Sequence, residues 1–505
     1  PILSLTLFIP VLGAIIIIFL RREQEWVIKW IAAAATLLSL LLSFFIFAYY
    51  DRSIGGMQFI ESIPWIRDLG VNYALGVDGI SIPLLLLTNL IGFSTVFSSW
   101  NLTERSKEFF ILLLILISGV MGTFLSTDLF IFFLFYEVVV IPIYLLIIMW
   151  GSSKRVTKEY AGMKLTIYLL IGSAFLLTGL IALFIKGYAL SGVPSMDINT
   201  LAGIAFPVRF QIWVFAFMVF GFGTLLSMVP FHAWSPDGYA GAPTAVSMIH
   251  AGVLKKIGGY GLIRIGIFIL PAGAKYLAPL IAVLAIGNVV YAAMICLSQK
   301  DLKYIVGYSS VSHMGYVLIG IAALNLVSLN GAVIMMFAHG VMAALFFAMI
   351  GNLYEKSHSR DVSDFGGLAH QMPRLATGFM LAGLASLGLP GLVNFIGEFT
   401  IFIGAFKSYR VLTIIGVLGI VITAVYILRA LGDLLFGPRR EEWDHLQDLK
   451  GPELVPLIVL GGAIIVGGIY PLGLVDLINS GMGTVVAHSG LTPLYSAVWT
   501  GGFVK

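Results

Sequence analysis

Uninterrupted apolar runs of about twenty residues recur along this chain from its first residues to near its last. Each run is long enough to cross the roughly 30 Å hydrocarbon core of a bilayer as an α-helix. The runs are continuous and rich in Leu, Ile, Phe and Gly, whereas the strands of a transmembrane β-barrel alternate apolar with polar residues. We therefore predict an all-α polytopic membrane protein.

The composition excludes several other classes. Of the 505 residues, 59% are hydrophobic and 11% are charged, against about 25% charged in an ordinary soluble domain. The mean hydropathy of +1.01 excludes a soluble globular, disordered or nucleic-acid-binding protein. A single cysteine, Cys296, cannot form an internal disulfide or an iron–sulfur ligand set. We predict no cofactor or metal in this chain, and lipids but no nucleic acid as partners.

The apolar runs predict about fourteen transmembrane helices. They cover residues 2–20, 27–49, 78–100, 109–125, 127–150, 164–186, 211–234, 243–270, 276–297, 302–323, 327–354, 374–407, 411–436 and 452–479. The chain starts at Pro1, so we expect an initiator Met or a short leader to precede it. We also expect no long extension after the last span.

The basic residues predict the orientation of these helices. Of the 29 Lys and Arg residues, 18 lie in or beside loops that follow odd-numbered spans, 8 lie on the other side and 3 lie within a span. Basic residues favour the cytoplasmic side of a membrane. This bias predicts both termini on the outer side, and a bacterial inner membrane is the expected host.

Two predicted spans are interrupted. Gly221, Gly223 and Pro230 break the seventh span, and Gly388-Leu389-Pro390-Gly391 breaks the twelfth. The breaks are five spans apart, as expected for two inverted five-helix repeats that each contain a discontinuous helix. The predicted domains are helices 1–3 (1–108), helices 4–8 (109–270), helices 9–13 (271–436), and helix 14 with the tail (437–505).

Several charged or titratable residues lie inside the apolar runs. A charge at mid-bilayer costs about 2.5–3.5 kcal/mol even on the lenient insertion scale, so such residues usually mark a function. The candidates for a proton relay are Glu137, Lys255, Lys256, His313, His339 and Glu398, with His250 nearby. A single buried Glu–Lys pair is as readily explained by a structural ion pair, but this number of groups over five spans favours a relay.

Other charged residues near span ends have simpler explanations. Asp78 and Asp128 begin spans, where a carboxylate caps the helix N-terminus. Arg264 lies near a span end, and we expect its side chain to extend to the interface. His232 and Asp237 are expected to be structural.

These residues stand in motifs whose order and spacing resemble one family along nearly the whole chain. The motifs are 74–81 (ALGVDGIS), 135–137 (FYE), 230–237 (PFHAWSPD), 242–245 (APTA), 251–260, 308–315 (YSSVSHMG) and 394–399 (NFIGEF). The chain resembles the antiporter-like membrane subunits of proton-translocating NADH:quinone oxidoreductase, respiratory complex I. The chain resembles subunit M, also called chain 4, more than the larger subunit L, because position 398 is Glu rather than Lys.

The resemblance implies fourteen helices in two inverted repeats and one proton channel driven by quinone reduction elsewhere in the complex. It implies partners among the other membrane-arm subunits, including neighbouring antiporter-like subunits. FMN, iron–sulfur clusters and quinone would belong to partner subunits. By position, Glu137 resembles the carboxylate of the fifth helix, Lys256 the central lysine of the eighth and Glu398 the exit carboxylate of the twelfth. His313 and His339 resemble the connecting histidines.

One position departs from the family pattern. The pattern has a lysine in the broken seventh helix, five residues before the proline of the 230–237 motif, and here that residue is Leu225. Glu137 therefore lacks its usual cation. We hypothesise that Lys255 partly replaces this cation. A non-pumping coupling scaffold is the alternative.

Two further functions share the same fold family. A subunit of a multi-subunit Na⁺/H⁺ antiporter would have no redox partners, and a membrane-bound hydrogenase would have different ones. Lysine and histidine bind protons and not sodium, so the residues favour proton transport.

Overall fold

The structure is a computed structural model and describes residues 1–491. Its helices are α1 (Ile2–Phe19), α2 (Glu25–Tyr49), α3 (Ser81–Ser98), α4 (Ser106–Leu125), α5 (Leu129–Trp150), α6 (Lys158–Ser191), α7 (Ile198–Ala202), α8 (Val208–Leu225), α9 (Trp234–Gly241), α10 (Thr244–Ile249), α11 (Lys255–Gly261), α12 (Pro271–Cys296), α13 (Leu302–Ala322), α14 (Leu326–Ser357), α15 (Leu368–Gln371), α16 (Pro373–Ser386), α17 (Val393–Ser408), α18 (Arg410–Leu435), α19 (Val455–Ile469) and α20 (Leu472–His488). Two strands, β1 (Gln58–Ile66) and β2 (Val71–Val77), pair antiparallel between α2 and α3. Short 3-10 turns cover Arg67–Leu69, Val362–Asp364, Glu441–Trp443 and Gly451–Leu454.

Within residues 1–491, twelve helices are long and apolar enough to cross a membrane. Burial separates the central helices from the peripheral ones. In its most apolar stretch α14 is completely buried, and α13 and α3 are 94% and 89% buried, whereas α18 is 33% buried. The core therefore lies around α14, α13 and α3, while α1, α2, α6 and α18 present apolar side chains outward, as lipid-facing helices do.

The helices match the predicted spans with two main differences. The eighth predicted span is divided into α10 and α11 by a π-helical turn at His250–Leu254, and a second π-helical turn follows at Leu262–Ile267. The last predicted span, 452–479, is wrong at its end because α19 stops at Ile469 and α20 begins after Pro471. The sequence alone merges these two helices because the apolar run continues past the proline.

The predicted break of the seventh span is confirmed. Helix α8 ends at Leu225 and α9 begins at Trp234. The side chain of Asn288 on α12 bridges the gap, accepting from the Val229 N–H at 2.6 Å and donating to the Ser227 carbonyl at 2.9 Å. Lipid cannot satisfy the backbone groups that a break exposes, so a neighbouring helix has to do so.

The predicted break of the twelfth span is also confirmed. Helix α16 ends at Ser386 and α17 begins at Val393. Between them Gly388 and Gly391 have φ angles of +65° and +94°, a left-handed region that glycine adopts without steric cost. The break leaves the Ser386 carbonyl free to face the side chain of His313 at 3.2 Å.

Two small bridges repeat at corresponding positions of the chain. Asp128 caps α5 and forms an isolated antiparallel bridge with Asp197, and Asp301 caps α13 and forms one with Asp361. The backbone bonds beside the first bridge measure 2.8 and 3.0 Å, and those beside the second both measure 2.9 Å. The caps lie five predicted spans apart, which is the spacing that the predicted repeats require. The domain boundaries themselves stay a prediction, and the tail beyond 491 lies outside the described residues.

Candidate functional site

The divided eighth span carries the central lysines. Lys255 and Lys256 directly follow the π-helical turn at His250–Leu254 and are both fully buried. π-Helical turns inside α-helices occur frequently at functional sites. Within the turn, Gly252 meets Gly340 of α14 so closely that a Cβ on Gly340 would lie 2.6 Å from the Gly252 carbonyl. Small residues of this kind let two helices approach each other, and here they bring Lys256 to α14.

Four of the predicted relay residues form one buried line. The Lys256 amine lies 2.8 Å from Nδ1 of His339 and also bonds the Ala251 carbonyl. The ring of His339 lies 5.4 Å from the ring of His313, measured between centroids. Nε2 of His313 lies 3.9 Å from a carboxylate oxygen of Glu398. The line crosses from the eighth predicted span through α14 and α13 to α17.

The break before α17 positions Glu398 at the end of this line. Glu398 is 3% exposed. Its carboxylate lies against Gly388, where an added Cβ would be 2.2 Å from a carboxylate oxygen. Glycine at position 388 therefore serves two needs, a left-handed backbone and room for the carboxylate.

Lys255 lies beside the line rather than in it. Its amine bonds the hydroxyls of Ser235 at 3.1 Å and Ser310 at 3.2 Å, and lies 5.4 Å from the centre of the Tyr239 ring. Direct pairing of Lys255 with Glu137, which the sequence suggested, is not formed. The two lysines are consecutive in sequence and therefore point about 100° apart around the helix axis.

Glu137 stands apart from the other relay candidates. In the described part of the chain it makes no ion pair within 4 Å, and one of its carboxylate oxygens is buried without a hydrogen-bond partner. The hydroxyl of Ser173 on α6 lies near this carboxylate but donates to the Leu170 carbonyl at 3.1 Å. The carboxylate lines an apolar cavity of about 600 Å³ on the α5 and α6 side of the molecule. The structure thus groups Lys256, His339, His313 and Glu398 and leaves Glu137 outside.

Two buried ion pairs were not predicted from the sequence. Arg264 is 2% exposed and forms a buried ion pair with Asp78, so the expected extension to the interface is wrong. Asp78 also accepts from the backbone at the start of α3, as expected of a cap. Arg360 and Asp301 form a second buried pair at 3.2 Å. Neither pairing has a local signal, because the partners are far apart in sequence.

No group of three or more potential metal-ligating His, Cys, Asp or Glu side chains occurs among residues 1–491. The free thiol of Cys296 is buried. The side chains of the buried line carry amine, imidazole and carboxyl groups, which accept and release protons.

Comparisons with known proteins agree with this architecture. Residues 126–423 match the family described as NADH:quinone oxidoreductase/Mrp antiporter, TM. A protein named NAD(P)H-quinone oxidoreductase chain 4 1 from Synechococcus sp. (strain JA-3-3Ab) is 38% identical over 93% of this chain and 90% of its own length.

Two solved structures share the fold. A chain of respiratory complex I from Thermus thermophilus with bound NADH superposes with a TM-score of 0.86 at 24% identity, covering 96% of this chain and 99% of that one. A chain of the Mrp complex from Dietzia sp. DQ12-45-1b gives a TM-score of 0.82 at 19% identity, covering 96% and 97%. The family match over more than half of the residues and the relative at 38% identity establish that this integral membrane protein belongs to the NADH:quinone oxidoreductase/Mrp antiporter transmembrane family.

Proposed function

We propose that this chain is a proton-translocating membrane subunit of a complex I type NAD(P)H:quinone oxidoreductase. The observation that carries the proposal is the buried line of Lys256, His339, His313 and Glu398. Similarity to relatives named as chain 4 of that enzyme supports the redox partner. The chain itself contributes proton-binding groups, and FMN, iron–sulfur clusters and quinone belong to partner subunits.

The buried line suits protons better than sodium. An ammonium or imidazolium group changes charge when it gains or loses a proton, whereas sodium sites in transporters use oxygen ligands such as backbone carbonyls. Three of the four groups in the line are nitrogen bases. The residues therefore favour proton over sodium transfer along this line. The choice of complex I over a Na⁺/H⁺ antiporter subunit rests on the relatives named as chain 4 of NAD(P)H-quinone oxidoreductase, since the Mrp complex shares the fold.

Purification of the intact assembly separates these two functions. We expect a gently solubilised complex, isolated through a tag on this chain, to contain neighbouring antiporter-like subunits, iron–sulfur EPR signals and quinone reductase activity. A set of partners that is purely membrane-embedded and has no redox centres would contradict the proposal and favour the antiporter. We also propose that the chain lies in a bacterial inner membrane. The distribution of its basic residues supports an orientation with both termini on the outer side.

The central prediction concerns Lys256. We expect Lys256→Ala in the whole complex to lower donor-driven proton pumping and coupled quinone reduction at least about ten-fold, because general acid–base groups typically contribute 10²- to 10⁴-fold. Lys255→Ala should cause a smaller loss, since that amine bonds two serines beside the line. Pumping by Lys256→Ala at the parental ratio of protons to electrons would support the coupling scaffold instead.

A second prediction concerns the missing lysine of the seventh helix. Leu225 is 1% exposed, so Leu225→Lys buries a charge. Ser173, which lies near Glu137, follows Gly172, where an added Cβ would lie 3.3 Å from Thr224. We therefore expect the introduced amine to lie close to the carboxylate of Glu137, whose opposite charge would stabilise the ammonium group.

A double-mutant cycle measures this pairing. We expect Leu225→Lys to destabilise the complex less in the presence of Glu137 than in a Glu137→Gln background, with a coupling of about 0.5–3 kcal/mol. The midpoint of thermal inactivation of the complex is the readout. Additive effects of the two substitutions would show that residues 137 and 225 do not interact.

A further inference from the structure

A cavity opens at the end of the molecule that carries most of the basic residues. Its volume is about 480 Å³. Lys300, Arg429 and Asp433 line it at the exposed side, whereas Cys296 and Tyr426 line its buried end. Tyr426 is 2% exposed. The cavity therefore extends from the surface to a buried phenol.

The phenol is bonded to the relay. The hydroxyl of Tyr426 donates to Oγ of Ser309 at 2.9 Å. That oxygen lies 3.3 Å from Nδ1 of His313, one turn further along α13. Ser309 is 4% exposed and His313 is fully buried. Two hydroxyl groups thus connect the cavity with the middle of the buried line.

We propose that Tyr426 and Ser309 form the proton inlet from this cavity to His313. This inference rests on the proposed function and names the residues that load its relay. A hydroxyl group can donate one hydrogen bond and accept others at the same time. A pair of hydroxyls can therefore pass a proton on without being ionised between turnovers.

The transfer conserves every proton. A hydronium ion in the cavity gives a proton to the oxygen of Tyr426, whose own proton moves to Oγ of Ser309. The hydroxyl proton of Ser309 then moves to Nδ1 of His313. One O–H bond of hydronium is broken and leaves water, and both hydroxyls regain their protons. One N–H bond is formed at Nδ1 of an imidazole whose other nitrogen, Nε2, already carries a proton. Rotation of the two hydroxyls resets the path.

The surroundings of His313 suit a receiving group. Its Nδ1 faces the Ser309 carbonyl at 2.7 Å, and its Nε2 faces the Ser386 carbonyl at 3.2 Å. Both ring nitrogens therefore meet acceptors, so a proton on either one is hydrogen-bonded. The carboxylate of Glu398 at 3.9 Å stabilises the ring when both nitrogens carry protons. Asp433 adds an exposed carboxylate at the mouth of the cavity.

A structural role of the phenol is the competing explanation, because a buried tyrosine hydroxyl usually finds a hydrogen-bond partner. Tyr426→Phe in the whole complex separates the two. We expect coupled proton pumping to fall about ten-fold and the solvent deuterium isotope effect on it to rise, with Ser309→Ala behaving alike. Tyr308→Phe is the matched control, since that ring lies next to Ser309 in sequence and stacks on Tyr304 at 6.5 Å. Parental pumping in Tyr426→Phe, or an equal loss in Tyr308→Phe, would overturn the inlet.

Filling the cavity provides a second test that leaves both hydroxyls in place. Ala430 lines the cavity and is 9% exposed, so Ala430→Phe should slow pumping as Tyr426→Phe does. If Tyr426→Phe slows pumping and Ala430→Phe does not, the phenol only positions His313 and the inlet is contradicted. Lys256→Ala distinguishes the failure of the inlet from the failure of the proposed function. If Lys256→Ala loses pumping while Tyr426→Phe pumps at the parental rate, only the proposed inlet is contradicted. If Lys256→Ala pumps at the parental rate, the proposed function is contradicted.

Discussion

Replacement of Arg264 by methionine is expected to destabilise the subunit by about 3–5 kcal/mol, because it leaves the carboxylate of Asp78 buried without its partner charge. Arg264 and Asp78 are 2% and 1% exposed, so water cannot compensate. The pair joins the start of α3 to the π-helical turn at Leu262–Ile267, which ends the span that carries Lys256. We expect little of the variant subunit to be incorporated into the complex, measured by quantitative immunoblotting of the purified assembly.

The controls separate the pair from loss of an arginine in general. Arg209 is exposed on α8, and Arg209→Met should change stability by no more than about 0.5 kcal/mol. The double variant Asp78→Leu with Arg264→Met removes both charges and should recover part of the loss. Normal incorporation of Arg264→Met would contradict a structural role of the pair.

Replacement of Gly388 by alanine is expected to lower coupled pumping about a hundred-fold. A Cβ at this position would lie 2.2 Å from a carboxylate oxygen of Glu398, so the carboxylate has to leave its place beside His313. The φ angle of +65° adds a backbone cost of about 1–2 kcal/mol for a residue with a side chain. The measurement is donor-driven proton uptake into inverted membrane vesicles.

Gly391 offers a matched control in the same break. Its φ angle is +94°, but an added Cβ would meet no atom within 4 Å. Gly391→Ala therefore carries the backbone cost without displacing Glu398, and we expect it to retain most of the pumping. Equal losses in both variants would show that the break matters and the position of Glu398 does not.

The buried line was predictable to the extent that its members are charges within apolar runs. Lys256 and Glu398 stand out in any hydropathy reading, and the broken spans point to discontinuous helices before a fold is known. The positions of these residues relative to one another were not predictable. Lys256 comes close to His339 because Gly252 contacts Gly340. Two helices far apart in sequence make that contact.

The same reasoning explains the failures. Arg264 has a local environment that fits an interfacial side chain, and only the fold brings Asp78 to it. Lys255 seemed a candidate partner for Glu137, but adjacent helical residues face different neighbours, and its amine reaches Ser235 and Ser310. Tyr426 carries no sequence signal at all, since a tyrosine in a lipid-facing helix is ordinary.

The most direct test of the central claim is to observe protonation of Glu398 during turnover. Infrared difference spectra of the complex, recorded before and after addition of the electron donor, report carboxyl groups that gain or lose a proton. We predict a carboxyl band that is absent from Glu398→Gln and present in Glu137→Gln. Spectra of Glu398→Gln and the parent complex that are identical in this region would contradict proton transfer along the line from Lys256 to Glu398.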